Sequence, residues 1–148
     1  MASHNELGKW GECKAAEYLR EKKGLYIRHI DWRDKHRDLD IVAIDEEMTT
    51  LVVVEVKTRS SKLWGEPDEA IDLEKKNNIL KATAKYIRIY HLEHLQLRYD
   101  TISVVGTPET TCEITHKEDA FTVLDSFLFY EQKRKSARYR YKHRPGTW

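Results

Sequence analysis

The nine residues LVVVEVKTR, Leu51 to Arg59, constrain the fold of this chain more than any other stretch. Four valines in five positions, interrupted by one carboxylate, belong to a strand and not to a helix, because β-branched side chains pack well on a pleated surface and crowd a helical one. Side chains alternate across a strand, so Val52, Val54 and Val56 take one face while Val53, Glu55 and Lys57 take the other. Both faces are largely apolar. The strand is therefore covered on both sides, which requires a layered α/β domain, and a carboxylate and an ammonium inside such a strand need a chemical reason.

The preceding run DLDIVAID reads as a second strand, joined to the first by the short polar loop EEMTT. A turn centred between Glu47 and Met48 sets Asp40 opposite Glu55, and Asp38 opposite Lys57, on one face of an antiparallel pair. Facing carboxylates repel and raise one another's pKa unless a cation lies between them. A hard divalent cation such as Mg2+ suits that arrangement: it takes one or two carboxylate oxygens, keeps several waters and leaves room for a phosphate. The bland alternative is a cross-strand salt-bridge network.

The other elements follow from periodicity. Leu7, Gly11, Ala15, Tyr18 and Leu19 recur at helical spacing from Asn5 to about Lys23, with Gly24 as the stop. LYIRHID alternates as a strand. A second helix runs from about Leu73 to Tyr90, with Ile79, Ala82, Thr83, Tyr86, Ile87 and Tyr90 as its apolar stripe. LRYDTISVV and the shorter CEITH are strands, and DAFTVLDSFLFYEQKR is a terminal helix. The order is α-β-β-β-α-β-β-α: one α/β domain around a mixed sheet of about five strands.

Composition narrows the partners. The chain has 148 residues, 34% of them charged, and a formal net charge of +1. That balance hides a basic end. Residues 131–148, EQKRKSARYRYKHRPGTW, set seven Lys and Arg against one Glu, with Tyr139, Tyr141 and Trp148 among them. Lys133, Arg134, Lys135, Arg138 and Arg140 suit phosphate contacts and the aromatics suit base stacking; a solubilising extension has the same composition. We divide the chain into a domain, 1–130, and this tail, 131–148. The chain shows no apolar targeting segment and no run near the roughly 20 residues that span a bilayer, so it is expected to be cytoplasmic with no membrane partner. Cys13 and Cys112 read as reduced thiols. His91 and His94, at i, i+3, lack a third ligand. His36, near Asp38 and Asp40, reads as an exposed loop residue, and Trp64 as either a core anchor or a base-stacking group.

The ordered motifs NELGKWGECKAAEYL, RDLDIV, VVEVKTR, the Ala70-Ile71-Asp72 and Lys75 start of the second helix, and RYDT resemble the YraN-like uncharacterised protein family UPF0102. Within it, Asp40 followed by VVVEVK resembles the core of the PD-(D/E)XK nuclease superfamily, whose fold is restriction-endonuclease-like. The resemblance covers about residues 5 to 122. It implies a nuclease hydrolysing DNA phosphodiester bonds with Mg2+ or Mn2+, held by Asp40 and Glu55, with Lys57 as the catalytic lysine and Glu12 of the first helix as a further catalytic carboxylate. Branched or structured DNA is a substrate consistent with it, and cutting both strands of a junction favours a homodimer. Lys75 would contact substrate phosphate or pair with the acidic cluster, and Arg59 would join the nucleic-acid contacts. One departure stands out: where the family has Gly-Glu, this chain has Arg37-Asp38, a shorter carboxylate behind an added cation. The alternative is a nucleic-acid-binding module or complex subunit that keeps the fold without cleaving.

Overall fold

The structure, a computed structural model, describes residues 3–61 and 71–142. Trp64 and Ala70 lie outside the described residues, as do residues 143–148 and the side chains of Tyr139 and Tyr141.

Helix α1 (His4–Lys23) begins where Ser3 and Glu6 form a reciprocal capping box and ends at Gly24, whose φ of 65° is the left-handed conformation glycine adopts without strain. Three strands follow, β1 (Tyr26–Asp34), β2 (Arg37–Ile44) and β3 (Thr50–Arg59); then α2 (Leu73–Tyr90), β4 (Gln96–Val105), β5 (Glu113–Phe121) and α3 (Leu124–Lys142). The sheet order is β1-β2-β3-β4-β5, with β3 at the centre. Every neighbour pair is antiparallel except β3 and β4, which run parallel because α2 carries the chain back between them. This is the expected mixed five-stranded sheet flanked by helices, open at both edges, in the arrangement of a restriction-endonuclease-like fold.

Both faces of β3 are covered. Val52 and Val54 pack with Ile41, Ala43, Ile102 and Val104 beneath Ala15, Ala16 and Leu19 of α1. Leu51 and Val53 pack on the other side with Val42, Ile79, Ala82 and Tyr86 of α2. The alternation read from LVVVEVKTR is thus the partition between two core layers. Ala16 joins the buried face of α1, which the sequence reading omitted.

The last two elements differ from the sequence reading. The strand begun by CEITH continues to Phe121, and the terminal helix starts at Leu124 instead of Asp119. Asp119 has φ 52°, and its N–H bonds the Asp100 side chain at 3.0 Å. That tie keeps 119–121 on the sheet edge. Asp125 then accepts the Thr122 N–H at 2.8 Å where the helix begins, and the helix extends through Lys142, so the first part of the basic segment is helical.

Candidate active site

The site begins with a turn. Asp45 accepts the N–H groups of Thr49 (2.7 Å) and Thr50 (2.8 Å) and the Thr49 hydroxyl (2.6 Å), while Met48 takes φ 59°. These bonds fix the loop between β2 and β3 and with it the register, which runs from Ile44↔Leu51 to Ile41↔Val54. That is the register expected from the sequence. Beyond Ile41, Asp40 no longer continues the ladder as a backbone pair; its Oδ2 accepts the Val56 N–H at 2.8 Å. The two strands fork there, and the fork holds a carboxylate on each side.

Glu55, only 8% exposed, hydrogen-bonds the Asp40 carboxyl. Burial first, and then the Asp40 carboxylate, push Glu55 well above the ordinary carboxylate range. Burial also raises Asp40, against the opposing pull of the Val56 N–H, Glu55 and Lys75. Burial and mutual repulsion thus favour a proton on this pair, with Lys75 pulling the other way.

Glu12 approaches from α1. A Cβ on Gly11 would run into the Thr58 side chain of β3, so only glycine lets the helix lie this close to the strand. The contact sets the next residue, Glu12, beside the fork. Its pKa is raised to about 7 by burial, then by the Asp40, Asp31 and Asp38 carboxylates, with Arg33 opposing. Asp31, a residue the sequence reading missed, enters from β1 at φ 53° and is gripped by Arg33 through Nε (3.1 Å) and Nη2 (3.2 Å). A cleft of about 230 Å3 lies here, lined by Asn5, Gly8, Glu12, Asp31, Arg33 and Asp38 among others. No periodicity would have flagged Asp31, because its positive φ breaks the alternation of its strand.

Lys75 closes the group from α2. Asp72 caps that helix by accepting the Lys75 N–H at 2.8 Å, and the Lys75 ammonium lies 3.4 Å from Glu55 and 3.9 Å from Asp38. Burial works against its charge, but Glu55, Asp38 and Asp40 outweigh it and its pKa stands above the ordinary value. Of the two roles read from sequence, pairing with the acidic cluster is the one seen. Asp38, the shorter carboxylate, reaches the group all the same.

The other residues singled out are placed as follows. Lys57 is half-buried on β3 two residues past Glu55, in register with Ser103. Arg59 ends that strand, half-buried, its carbonyl accepting the Gly106 N–H at 2.8 Å. Lys133, Arg134, Lys135, Arg138 and Arg140 are all exposed on α3. His36 and His94 are exposed, and His91 caps the end of α2 at φ 55°. Asp100, the aspartate of the RYDT motif, sits elsewhere, fully buried and held by Arg98 (2.9 and 2.8 Å) and by His116 (2.9 Å), whose other nitrogen faces the Tyr18 hydroxyl at 3.4 Å.

Among the described residues, no three His, Cys, Asp or Glu side chains form a complete metal-ligand set. The Asp40–Glu55 pair alone nonetheless fits the modest demand of Mg2+ or Mn2+ for one or two protein carboxylates, since a dication can offset the charge of both. Cys13 and Cys112 are both free. No helix among the described residues is long and apolar enough to cross a membrane.

Comparison with known proteins agrees with the motifs. The model of the uncharacterised protein family UPF0102 matches residues 11–104. A UPF0102 protein of Bacteroides thetaiotaomicron is 45% identical over 121 residues, which cover 82% of this chain and 96% of that one. A UPF0102 protein of Phocaeicola vulgatus is 43% identical over the same shares. One of Porphyromonas gingivalis is 41% identical over 125 residues, covering 84% of this chain and 90% of its own. The chain belongs to the uncharacterised protein family UPF0102.

Proposed function

We propose that this chain is a metal-dependent nuclease of the PD-(D/E)XK type, hydrolysing phosphodiester bonds of DNA. The observation that carries the reading is the forked β2–β3 pair, where Asp40 and the buried Glu55 are hydrogen-bonded to one another while Glu12 leans in from α1. Burying two acids together costs stability. A site that keeps them has a use for their charge.

Asp40 and Glu55 would hold Mg2+ or Mn2+. Once bound, such an ion neutralises charge on a phosphate and acidifies a bound water. Lys57, further along the same strand, orients the attacking water or stabilises charge building on the phosphate oxygens. Glu12, with a pKa of about 7, is placed to hold or release a proton at neutral pH. The exposed cations of α3, Lys133, Arg134, Lys135, Arg138 and Arg140, together with Arg59, supply contacts along the DNA backbone. The substrate we favour is structured DNA such as a junction, and paired cuts call for a homodimer. The work belongs to the cytoplasm, where chromosomal DNA of a bacterium lies.

The alternative, a binding module that does not cleave, draws on the same basic helix. The deciding experiment incubates the protein with linear, single-stranded and four-way-junction DNA, and with RNA, in Mg2+ or Mn2+, beside Asp40→Asn and Lys57→Ala. Cleavage of DNA lost in both variants is the expected result. Cleavage that persists in both removes the proposed site, and salt-sensitive binding without cleavage on any substrate favours the module.

A further inference from the structure

Lys75 stands where local preference would not put a cation. It occupies the first turn of α2, the end of a helix that carries partial positive charge and favours acids. Its backbone N–H is already used by the Asp72 cap, so the side chain has no part in starting the helix. Instead the ammonium reaches across the domain to Glu55 on β3 at 3.4 Å and Asp38 on β2 at 3.9 Å. Three elements that share no local sequence are joined at that one charge. Its side chain is 39% exposed, so the long stem can swing the head into water without disturbing the core.

We propose that Lys75 is the resident counter-ion of the carboxylate group, holding Glu55 and Asp38 in place and giving way when a divalent cation enters. The proposal rests on the nuclease reading above and adds to it a competition. A dication near Asp40 and Glu55 adds at least one positive charge to the cleft, whether or not a proton leaves the pair. Lys75 therefore opposes entry in either protonation state of the pair. Without it, the carboxylates would repel one another while empty. With it, they are kept assembled, at the expense of weaker cation binding. A Lys75 that served only to hold α2 on the sheet would not compete in this way, because its removal would loosen the site and weaken binding.

Mn2+ binding to the full chain, followed by the paramagnetic signal of the free ion at pH 8, separates these cases without reference to cleavage. The variants are Lys75→Met, Lys75→Arg and Asp40→Asn, each first shown folded by circular dichroism. Asp40→Asn should abolish binding, Lys75→Met should tighten it roughly tenfold, and Lys75→Arg, which keeps the charge, should stay close to wild type. Unchanged or weaker binding in Lys75→Met, with Asp40→Asn still abolishing it, overturns the counter-ion role and leaves the cation site standing. Absence of Mn2+ binding in the wild type, or binding indifferent to Asp40→Asn, overturns the site reading itself.

Discussion

The carboxylate of Asp40 accepts the backbone N–H of Val56 at 2.8 Å, so a side chain of β2 takes the place of the ladder bond its own backbone would have made. Asp40 therefore has two jobs, one structural and one chemical, and substitutions can part them. Asp40→Asn keeps an oxygen for the Val56 N–H and should fold with its stability intact while losing cation binding and cleavage. Asp40→Ala leaves that N–H unpaired and should also lower the unfolding free energy by about 1–3 kcal/mol in urea denaturation. Equal stability of the two variants would show that the Val56 bond contributes nothing.

Gly11→Ala tests the approach of α1 to the sheet. In an exposed helix interior this change stabilises by about 1 kcal/mol through propensity. Here the added methyl meets the Thr58 side chain, so the melting temperature should fall, with a net loss of about 1–3 kcal/mol. Glu12 is displaced along with the helix, so cleavage should drop further than stability does.

Stability should depend on pH through Glu12. Its pKa rises from an ordinary 4.5 in the unfolded chain to about 7 on folding, so the folded state holds a proton that the unfolded state has released. Between those values folding takes up a proton. The stabilisation is full below pH 4.5 and is lost as pH rises through about 7. Urea midpoints measured from about pH 5 to 8 should therefore fall with rising pH, and Glu12→Gln should flatten that slope. A residual slope should remain, since Glu55 is raised as well.

Ending the chain after Gln132 removes Lys133, Arg134, Lys135, Arg138 and Arg140 but spares the contacts that dock α3 on α2. Those are Lys76 with Asp125 at 2.9 Å, Ser126 with Asn77 at 2.9 Å, and the buried Phe129. The fold should persist. DNA affinity should weaken, and the slope of log K against log salt should shallow by about 0.9 for each phosphate that no longer meets a cation. An unchanged slope would assign the basic helix to something other than DNA.

Much of this was legible because the governing signals are local. The β2–β3 register followed from a loop centred between Glu47 and Met48, and Asp45 fixes that loop through three bonds within five residues. The bounds of α2, Leu73–Tyr90, followed from its apolar stripe and the Asp72 start. What escaped depends on distant partners or on irregular backbone. Asp31 joins the cleft only because its φ is positive. The end of β5 is held by Asp119 bonding to Asp100, nineteen residues earlier. Between two roles for Lys75, spacing could not decide, since the choice turns on β2 and β3 lying beneath the first turn of α2.

The fork between β2 and β3 also gives the molecule a built-in gauge. The Val56 amide is pinned by a titratable side chain, whereas β3 stays paired with β4 as far as Arg59. Its proton resonance should therefore shift whenever the charge on Asp40 changes, while its neighbours in the sheet stay still. In a 15N-labelled sample, a single peak in a nitrogen-edited spectrum would then follow protons and ions entering the site, with no substrate or substitution needed.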